Sequence, residues 1–470
     1  MDFLDREDEL DRLRGLARAG RGGLAVVYGR RRVGKTRLLV EWIRSDGGIY
    51  WVADQSAPAV QRRWLAETVG RTFPGFSDVE YPDWKALLGR LAVEAERTGF
   101  RGPLVLDEFP WLAASSPELP GILQGWLDHE ARRARLLVVL AGSSQRMMQG
   151  LVLSSSAPLY GRASEILEIR PLAPRWLRRV FPRATPPELA ATWIAFGGVP
   201  RYWELLETAR GDLRERIDRL VLDPLGPLHR EPDHLLLEET PPALELRPIL
   251  DAVGSGAHRT GEIAGRLGVP ATSLARPLRR LVELGMLRRD VPFGESPRKG
   301  KRSLYRIADP FLRLWFRVVA PHRSTLEVAD RRERLALLEK AFPGLAGEGW
   351  EDLCRLLVPS LDPRRTRLGA LGPWGVPGRW WRGNDPEWDI VAADLAGNRL
   401  LLGEARWGSR PFSRQEVERF AAEVAARRPP LLPARYAERV VERALFVPAV
   451  RGPARAAHGV HVVTARHMLG

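Results

Sequence analysis

Residues 24–36 read Leu-Ala-Val-Val-Tyr-Gly-Arg-Arg-Arg-Val-Gly-Lys-Thr, an apolar run that leads directly into the pattern G-x-x-x-x-G-K-T. This pattern is typical of a phosphate-binding loop between a buried strand and a helix. Gly29 and Gly34 permit tight turns and let backbone amides approach anionic oxygens. The helix that begins near Lys35 directs the positive end of its dipole at the same anion. The stretch therefore predicts a strand, a loop and a helix that bind a nucleotide.

The motif gives its last two residues separate roles. Lys35 is expected to reach the β and γ phosphates, and the Thr36 hydroxyl is expected to bind Mg²⁺. Lysine is scarce in this chain, with 5 lysines against 68 arginines, so a chance match to the motif is improbable. The predicted nucleotide-binding residues are Gly29, Arg30, Arg31, Arg32, Val33, Gly34, Lys35, Thr36 and Arg37.

The composition is that of an ordinary globular protein. The 470 residues suffice for about three domains, and 44% of them are hydrophobic and 28% charged. The acidic N-terminus contains no apolar leader, and no run approaches the ~18 apolar residues of a membrane span. The only cysteine, Cys354, fits a reducing compartment and excludes a cysteine metal cluster. We therefore expect a cytoplasmic protein without membrane segments.

The net charge of +15 favours a polyanionic partner, and DNA is the first candidate. The excess of arginine over lysine leaves base-composition bias as an alternative source of this charge. A third possibility is a protein partner, with an incidental basic surface.

Residues 1–170 alternate apolar runs with helical patterns, which is typical of a parallel sheet covered by helices. Helices are predicted to open near Glu7, Lys35, Ala57, Asp83, Pro117 and Ser144. The predicted strands are Leu24–Tyr28, Gly48–Ala53, Pro103–Asp107, Leu136–Ala141 and Ile166–Ile169. The fold class is therefore α/β, with a P-loop NTPase core over residues 1–170.

Polar residues follow several of these strands. Asp107 and Glu108 end the third strand, where Asp107 is predicted to hold Mg²⁺ through water and Glu108 to align or deprotonate the attacking water. Ser143 follows the fourth strand and is placed to sense the γ-phosphate or position water. Arg162 precedes the fifth strand and is a candidate for stabilising transition-state charge, within the chain or across a subunit interface. The catalytic candidates are Glu108, Ser143 and Arg162.

Residues 171–239 are predicted to form a helical lid, and residues 240–315 a winged helix. The winged-helix prediction places helices at Ala243–Val253, Thr260–Leu267 and Thr272–Leu284, a basic wing at residues 298–303 and a strand at Leu304–Ile307. Arg276, Arg279 and Arg280 lie on the polar side of the third helix, as DNA contact would require. Pro277 inside that helix is unusual, and the alternative is a winged helix that only transmits motion.

Residues 316–470 contain a predicted β-hairpin centred between Ala396 and Gly397. This centre places Asp389 opposite Glu404 and puts Arg406 on the same side as Glu404. The arrangement suits a second Mg²⁺ or Mn²⁺ and phosphodiester cleavage. A surface ion pair on an edge hairpin is the alternative. Glu351, from a preceding helix, and Gln415, from the following one, are further candidates for this site.

These motifs together resemble the archaeal-type ATPase family, a STAND-like, AAA+-related group of P-loop NTPases. The resemblance rests on Gly29–Thr36, Leu106-Asp107-Glu108, Tyr160-Gly161-Arg162, Gly197-Gly198-Val199-Pro200, Asp309-Pro310-Phe311-Leu312 and Gly403-Glu404-Ala405-Arg406-Trp407. It implies a C-terminal domain of unknown function, residues 316–470, with an α/β fold resembling PD-(D/E)XK restriction endonucleases. Arg406 stands where that pattern usually has lysine, and arginine cannot give up a proton to generate hydroxide.

Two functions follow from the sequence. The first is an Mg²⁺-dependent ATP hydrolase, possible as a homo-oligomer, whose nucleotide state drives a DNA-binding winged helix and a nuclease-like domain. The alternative is an ATP-dependent regulatory switch that binds DNA or a protein partner without cutting, and Arg406 favours it.

Overall fold

The computed structural model describes residues 1–143, 148–238, 246–296 and 302–470. The chain divides into two compact units. The first comprises residues 1–172 with 199–201, and the second comprises residues 173–198 with 202–470. Within the described ranges, no helix is both long enough and apolar enough to cross a bilayer.

The first unit is built on a five-stranded sheet in which every pairing is parallel. The strand order is β2-β3-β4-β1-β5. The strands are β1 Gly23–Tyr28, β2 Ile49–Val52, β3 Pro103–Asp107, β4 Leu137–Gly142 and β5 Ala163–Glu168. Because β4 lies between β1 and β3, the carboxyl ends of these three strands meet at one edge. The first four strands agree with the prediction to within one residue, whereas β5 begins three residues early.

Helices cover both faces of this sheet. They are α1 Glu7–Ala19, α2 Lys35–Asp46, α3 Pro58–Gly70, α4 Trp84–Thr98, α5 Phe109–Ser115, α6 Leu119–Asp128 and α7 Glu130–Arg133. Alternate residues of β1 pack into two separate cores, Leu24 and Val26 on one face and Ala25 and Val27 on the other. Burial on both faces explains why the strands are continuous apolar runs. The predicted helix start at Ser144 lies outside the described residues.

The middle of the chain is helical with one two-stranded antiparallel sheet. Its helices are α8 Leu177–Val180, α9 Pro186–Phe196, α10 Pro200–Thr208, α11 Leu213–Ile217, α12 Glu231–Glu238, α13 Arg247–Gly254, α14 Thr260–Leu267 and α15 Ala275–Glu283. The strands β6 Leu287–Asp290 and β7 Leu304–Ile307 pair after α15. The predicted third helix divides into a 3₁₀ turn at Ala271–Leu274 and α15, so Pro277 falls in a first turn, where its missing N–H costs nothing. Residues 298–301 of the predicted wing lie outside the described residues.

The C-terminal part of the second unit contains a mixed five-stranded sheet in the order β12-β11-β10-β9-β8. Its strands are β8 Gly378–Trp380, β9 Trp388–Ala393, β10 Arg399–Ala405, β11 Val440–Val447 and β12 Val460–Thr464. The remaining helices are α16 Pro310–Leu314, α17 Arg323–Leu326, α18 Arg331–Leu357, α19 Arg367–Ala370, α20 Arg414–Ala426 and α21 Ala465–Leu469. Gly403 pairs with Ile390 in the β9–β10 hairpin, so the predicted register is correct.

Short helical segments of other types complete the chain. The 3₁₀ turns are Phe76–Asp78, Pro174–Trp176, Ala271–Leu274, Ala320–His322, Val358–Ser360 and Ala434–Tyr436. The π-helical segments are Gln149–Leu153, Asp218–Leu222 and Trp315–Val319.

Candidate functional site

The phosphate loop connects β1 to α2 at the carboxyl edge of the parallel sheet. Gly29 and Gly34 have φ angles of 152° and 95°, which side chains rarely adopt. A Cβ on Gly29 would lie 2.3 Å from the carbonyl oxygen of Ile169, at the end of β5. Gly29 is therefore needed for a close backbone contact inside the fold, in addition to the predicted approach to phosphate.

The Lys35 ammonium lies within the loop. Lys35 is 4% exposed, and its Nζ donates to the carbonyl oxygens of Gly29 at 2.9 Å and Arg30 at 3.1 Å. Val33 is buried, Arg30 and Arg32 are half-buried, and Arg31, Thr36 and Arg37 are exposed. The predicted loop residues thus form one turn around the Lys35 ammonium, with the Thr36 side chain at the surface.

Asp107 at the end of β3 is completely buried and accepts three hydrogen bonds. Thr36 Oγ1 donates to its Oδ2 at 2.8 Å, and the backbone N–H of Glu108 donates to its Oδ1 at 2.9 Å. The third donor is the Tyr50 hydroxyl, 2.8 Å from Oδ2. The structure therefore brings together the two predicted metal ligands, Thr36 and Asp107.

Glu108 occupies a strained position next to Asp107. Its φ of 52° and ψ of 38° are left-handed, which is uncommon for a residue with a side chain. Ser143, after β4, donates its hydroxyl to Glu108 Oε1 at 2.5 Å, and its backbone N–H lies 3.4 Å from Oε2. The sheet order thus places two of the three catalytic candidates, Glu108 and Ser143, in direct contact.

These residues fit an Mg²⁺ ion bound together with a nucleotide. The oxygens of Thr36 and Asp107 are hard ligands of the type that Mg²⁺ accepts, and a P-loop site supplies few protein ligands because the phosphates and water complete the shell. Hydroxyl and amide groups hold both carboxylates.

Two contributors to this site were not predicted from the sequence. Arg6 is 5% exposed and donates to the carbonyl oxygens of Val33 at 3.0 Å and Arg170 at 2.7 Å, so it ties the loop to the end of β5. Tyr50 reaches Asp107 from β2. Arg6 could have been suspected from the sequence because it is the only basic residue in the acidic run of residues 2–9. Tyr50 sits in a strand of ordinary composition and gave no signal.

Arg162, the third catalytic candidate, lies far from the loop within its own chain. Leu24 at the start of β1 pairs with Ala163, so Arg162 lies at the amino edge of the sheet. The loop begins at Gly29, roughly 20 Å away along the strand. Arg162 forms a bidentate pair with Asp128, at 3.0 and 2.8 Å. The early start of β5 explains this correction, and a role across a subunit interface stays a prediction.

The predicted nuclease residues Asp389 and Glu404 lie on the paired strands β9 and β10. The Asp389 Oδ2 accepts the backbone N–H of Ala405 at 3.0 Å. Glu404 is 8% exposed, and its two oxygens contact separate arginines, Arg427 at 2.5 Å and Arg406 at 3.0 Å. Arg406 thus lies on the same side as Glu404, as predicted, and acts there as its ion-pair partner.

Glu351 joins these carboxylates from α18. Its Oε2 lies 3.5 Å from Arg379 and 3.7 Å from Arg355. Burial, followed by the charge of Asp389, raises the pKa of Glu351 to about 7. Burial, followed by the charge of Glu404, raises the pKa of Asp389 to about 6. We call Glu351, Asp389 and Glu404 the C-terminal carboxylate cluster.

The C-terminal carboxylate cluster does not fit the predicted second Mg²⁺ or Mn²⁺. In the described part of the chain, no three His, Cys, Asp or Glu side chains are arranged to hold a metal ion. Arginines occupy the Glu404 oxygens that a metal would need. Gln415 is exposed in the first turn of α20, and no described contact joins it to the cluster.

Two parts of the chain match known families. Residues 3–206 match the family described as an ATPase domain predominantly from Archaea. Residues 315–420 match a family of archaeal and bacterial proteins of unknown function. The N-terminal part is therefore similar to an archaeal-type ATPase domain, in agreement with the resemblance that the sequence motifs indicated.

Several similar proteins come from archaea. An uncharacterised protein of Methanocaldococcus jannaschii is 28% identical over 411 residues, which cover 86% of this chain and 87% of the relative. The fold resembles that of a Walker-type ATPase of Pyrococcus abyssi, with a TM-score of 0.54 and 20% identity over 67% of this chain and 97% of that one. The ORC2 protein of Aeropyrum pernix, in ADPNP and ADP complexes, matches with a TM-score of 0.43 and 13% identity over 73% of this chain and 96% of that one.

Proposed function

We propose that the protein is an Mg²⁺-dependent ATP hydrolase. The observation that carries this proposal is the contact network at the carboxyl edge of the sheet, where Thr36 bonds to Asp107 and Ser143 bonds to Glu108. Phosphate binding, metal binding and water activation require these residue types within reach of one loop. The match of residues 3–206 to an ATPase domain supports the same function.

Each residue performs one part of the reaction. The loop amides and Lys35 bind the phosphates. To do so, the Lys35 ammonium leaves the carbonyl oxygens of Gly29 and Arg30 and donates to phosphate oxygens instead. Thr36 and Asp107 would hold an Mg²⁺ ion, which would supply positive charge to neutralise the phosphates. Glu108 would orient the attacking water, with Ser143 fixing its carboxylate.

The loss of binding in Lys35→Ala tests this function. We expect the affinity for a fluorescent ATP analogue to fall at least about tenfold, because a buried cation at the phosphates is removed. Lys85→Ala is the matched control, since Lys85 is an exposed lysine on α4 in the same unit. Equal binding by wild type and Lys35→Ala would refute the proposed site.

We further propose that the nucleotide state controls DNA binding by the segment from α13 to β7. Leu278 and Leu281 of α15 are buried, whereas Arg276 and Arg279 on the same helix are exposed. Two exposed arginines on one short helix suit contacts with successive phosphates. The net charge of +15 supports a polyanionic partner.

Half-buried ion pairs connect this segment to the C-terminal part of the second unit. Arg288 of β6 forms a bidentate pair with Asp352 of α18 at 2.8 and 2.6 Å, and Arg306 of β7 bonds to Glu348 at 2.7 Å. One turn further along α18, Arg355 donates to the Asp389 carbonyl oxygen at 2.6 Å. These hydrogen bonds connect β6 and β7, the strands that follow α15, to the C-terminal carboxylate cluster through α18. A change at α15 on DNA binding would therefore be transmitted to the cluster along this path.

The DNA proposal is tested by anisotropy of a labelled duplex over a range of salt concentrations. Arg276→Ala combined with Arg279→Ala should weaken binding at low salt and reduce the salt dependence, because two phosphate contacts are removed. Arg332→Ala combined with Arg364→Ala removes the same charge from exposed arginines elsewhere. Equal weakening by both double variants would point to net charge alone, and no DNA binding at low salt would favour a protein partner.

The contacts of Glu404 favour the switch that does not cut DNA over the nuclease. A nuclease needs carboxylate oxygens free for a metal, and here arginines hold both oxygens of Glu404. We therefore expect no cleavage of single- or double-stranded DNA with Mg²⁺ or Mn²⁺, with or without ATP. Cleavage that disappears in Asp389→Ala would establish the nuclease instead.

A further inference from the structure

Tyr50 is an unexpected neighbour of the nucleotide site. It lies in β2, where Val52 pairs with Asp107 and Tyr50 pairs with Val105. Trp51 packs into the core on one face of the sheet, and Tyr50 packs against the other core, which also contains Leu38 and Leu39 of α2. The Tyr50 ring thus lies on the face covered by α2, and its hydroxyl extends to the start of that helix.

The hydroxyl of Tyr50 acts as a hydrogen-bond donor to Asp107. The distance from the hydroxyl to Oδ2 is 2.8 Å, equal to the distance from Thr36 Oγ1 to the same atom. A tyrosine hydroxyl is protonated near neutral pH, so Tyr50 donates here and the carboxylate accepts. Asp107 Oδ2 therefore accepts two hydroxyl protons at once.

The number of acceptor positions on Asp107 limits how it meets a metal ion. A carboxylate offers about four lone-pair positions. Thr36 and Tyr50 occupy both positions on Oδ2, and the Glu108 N–H occupies one on Oδ1. One position on Oδ1 remains for a water molecule of a hydrated ion, whereas an ion that coordinated Oδ2 directly would displace a hydroxyl donor.

We infer that Tyr50 is a positioning residue that holds Asp107 in the orientation required to bind hydrated Mg²⁺. The inference rests on the proposed ATPase function and adds a residue that determines metal affinity and metal choice. Without the hydroxyl, Asp107 Oδ2 is free to rotate or to coordinate an ion directly. Mn²⁺ gives up its water more readily than Mg²⁺ and should profit from this freedom.

The variant Tyr50→Phe removes the hydroxyl and keeps the ring in its core. We expect the Mg²⁺ concentration for half-maximal ATP hydrolysis to rise about tenfold, because a hydrogen bond to a charged group is lost. The ratio of Mn²⁺-supported to Mg²⁺-supported turnover should rise as well. The affinity for a fluorescent ATP analogue in EDTA should equal that of wild type, since no metal ion is then present for Asp107 to bind.

Tyr81→Phe is the matched control. The Tyr81 hydroxyl donates to the Phe76 carbonyl oxygen at 2.8 Å in the same unit, within the core on the other face of the sheet. This variant also loses a buried hydroxyl bond and should leave the Mg²⁺ dependence unchanged. A shift of equal size in both variants would indicate a general structural effect and overturn the inference.

The wild-type protein separates the two possible failures. If wild type neither binds nor hydrolyses ATP, the proposed function is wrong and the inference falls with it. If wild type binds ATP but turnover is too slow to measure, the Mg²⁺ dependence of analogue binding replaces the kinetic measurement. If wild type responds to Mg²⁺ and Tyr50→Phe gives the same Mg²⁺ and Mn²⁺ dependence, Tyr50 has no positioning role.

Discussion

The two units hold their buried carboxylates in different ways. In the first unit, the side chains of Asp107 and Glu108 accept hydrogen bonds from the hydroxyls of Thr36, Tyr50 and Ser143 and from backbone amides. In the second unit, Glu404 contacts Arg406 and Arg427 directly. Glu351 lies within 4 Å of Arg355 and Arg379. Neutral donors fix a carboxylate and leave its charge available, whereas arginines neutralise that charge.

This difference decides what the same residue types can do. A metal ion that enters the first site meets carboxylates held by neutral hydroxyl and amide donors. At the C-terminal carboxylate cluster, a metal would have to displace guanidinium groups, whose bonds to carboxylate are among the strongest that proteins make. Two acidic motifs that look alike in the sequence therefore have different bonding partners in the structure.

The largest effect is expected for Glu108→Gln. The amide keeps the shape of the side chain but cannot accept a proton from water, so turnover should fall by at least about 100-fold. ATP binding should stay near the wild-type level, measured with the same fluorescent analogue. If Glu108→Gln hydrolyses ATP at the wild-type rate, Glu108 is not a catalytic residue, and its neutral hydrogen-bond donors do not indicate catalysis.

Removal of one arginine that contacts the C-terminal carboxylate cluster should destabilise the protein. Arg427→Met leaves Glu404 buried with a single partner, so the free energy of unfolding should fall by about 3 kcal/mol. Chemical denaturation measures this change. Arg410→Met is the control, because the pair of Arg410 with Glu416 is exposed and should contribute little. The addition of Glu404→Gln to Arg427→Met should restore part of the loss, and no recovery would assign the effect to packing of Arg427 on Trp388.

The raised pKa of Glu351 predicts a pH-dependent gain in stability from Glu351→Gln. The folded protein holds the Glu351 proton up to a pH of about 7, against 4.5 for an ordinary glutamate. The contribution of Glu351 to stability therefore falls as the pH rises from 4.5 to 7, and the glutamine variant lacks this contribution. At pH 8 the variant should be more stable by up to about 3 kcal/mol, and at pH 4 the two should be equal.

Glu348→Gln provides a control of opposite sign on the same helix. Burial would raise the pKa of Glu348, but the charges of Arg313 and Arg306 outweigh it and lower that pKa to about 2. Ionised Glu348 therefore stabilises the fold above its ordinary pKa, and this contribution is lost as the pH falls toward 2. The glutamine variant should be less stable than wild type at pH 8. Gains from both substitutions would contradict the assigned charge states.

The sequence predicted the parts of the fold that depend on local pattern. The apolar runs located β1 to β4 because strands buried on both faces contain few polar residues. The hairpin register followed from the turn at Ala396 and Gly397, because side chains alternate with a period of two. Asp107, Glu108 and Ser143 were predicted as site residues for the same reason, since they stand at or just after the ends of buried strands.

The partners of these residues could not be predicted, because contacts between distant elements leave no local pattern. Tyr50 reaches Asp107 only because β2 lies beside β3, and Arg427 reaches Glu404 across 23 residues. Arg162 was misplaced relative to the phosphate loop because β5 begins at Ala163 and runs parallel to β1. Charged residues were therefore recognised individually, but whether a hydroxyl or an arginine faces each carboxylate required the structure.

Ser143→Ala should have a moderate effect on turnover. Loss of the hydroxyl frees Glu108 Oε1, and a misaligned water-orienting group should lower kcat by about tenfold with little change in the KM for ATP. Ser116→Ala is the control, since the buried Ser116 hydroxyl accepts from Trp84 in the same unit. A change in KM rather than kcat would place Ser143 in nucleotide binding.

The smallest effect on turnover is expected for Arg162→Ala. This variant tests, within the first unit, the difference between a carboxylate bound by arginine and one bound by neutral donors. Arg162 and Asp128 form an arginine–carboxylate pair of the kind found in the second unit, at the edge of the sheet opposite the phosphate loop. Because such partly exposed pairs contribute little, kcat should change by less than about twofold at protein concentrations where the chain is monomeric. In the opposite case, kcat per chain would rise with protein concentration in wild type but not in Arg162→Ala. That result would place Arg162 in the nucleotide site of a neighbouring copy. Sedimentation of both proteins at the same concentrations separates loss of such a contribution from loss of assembly.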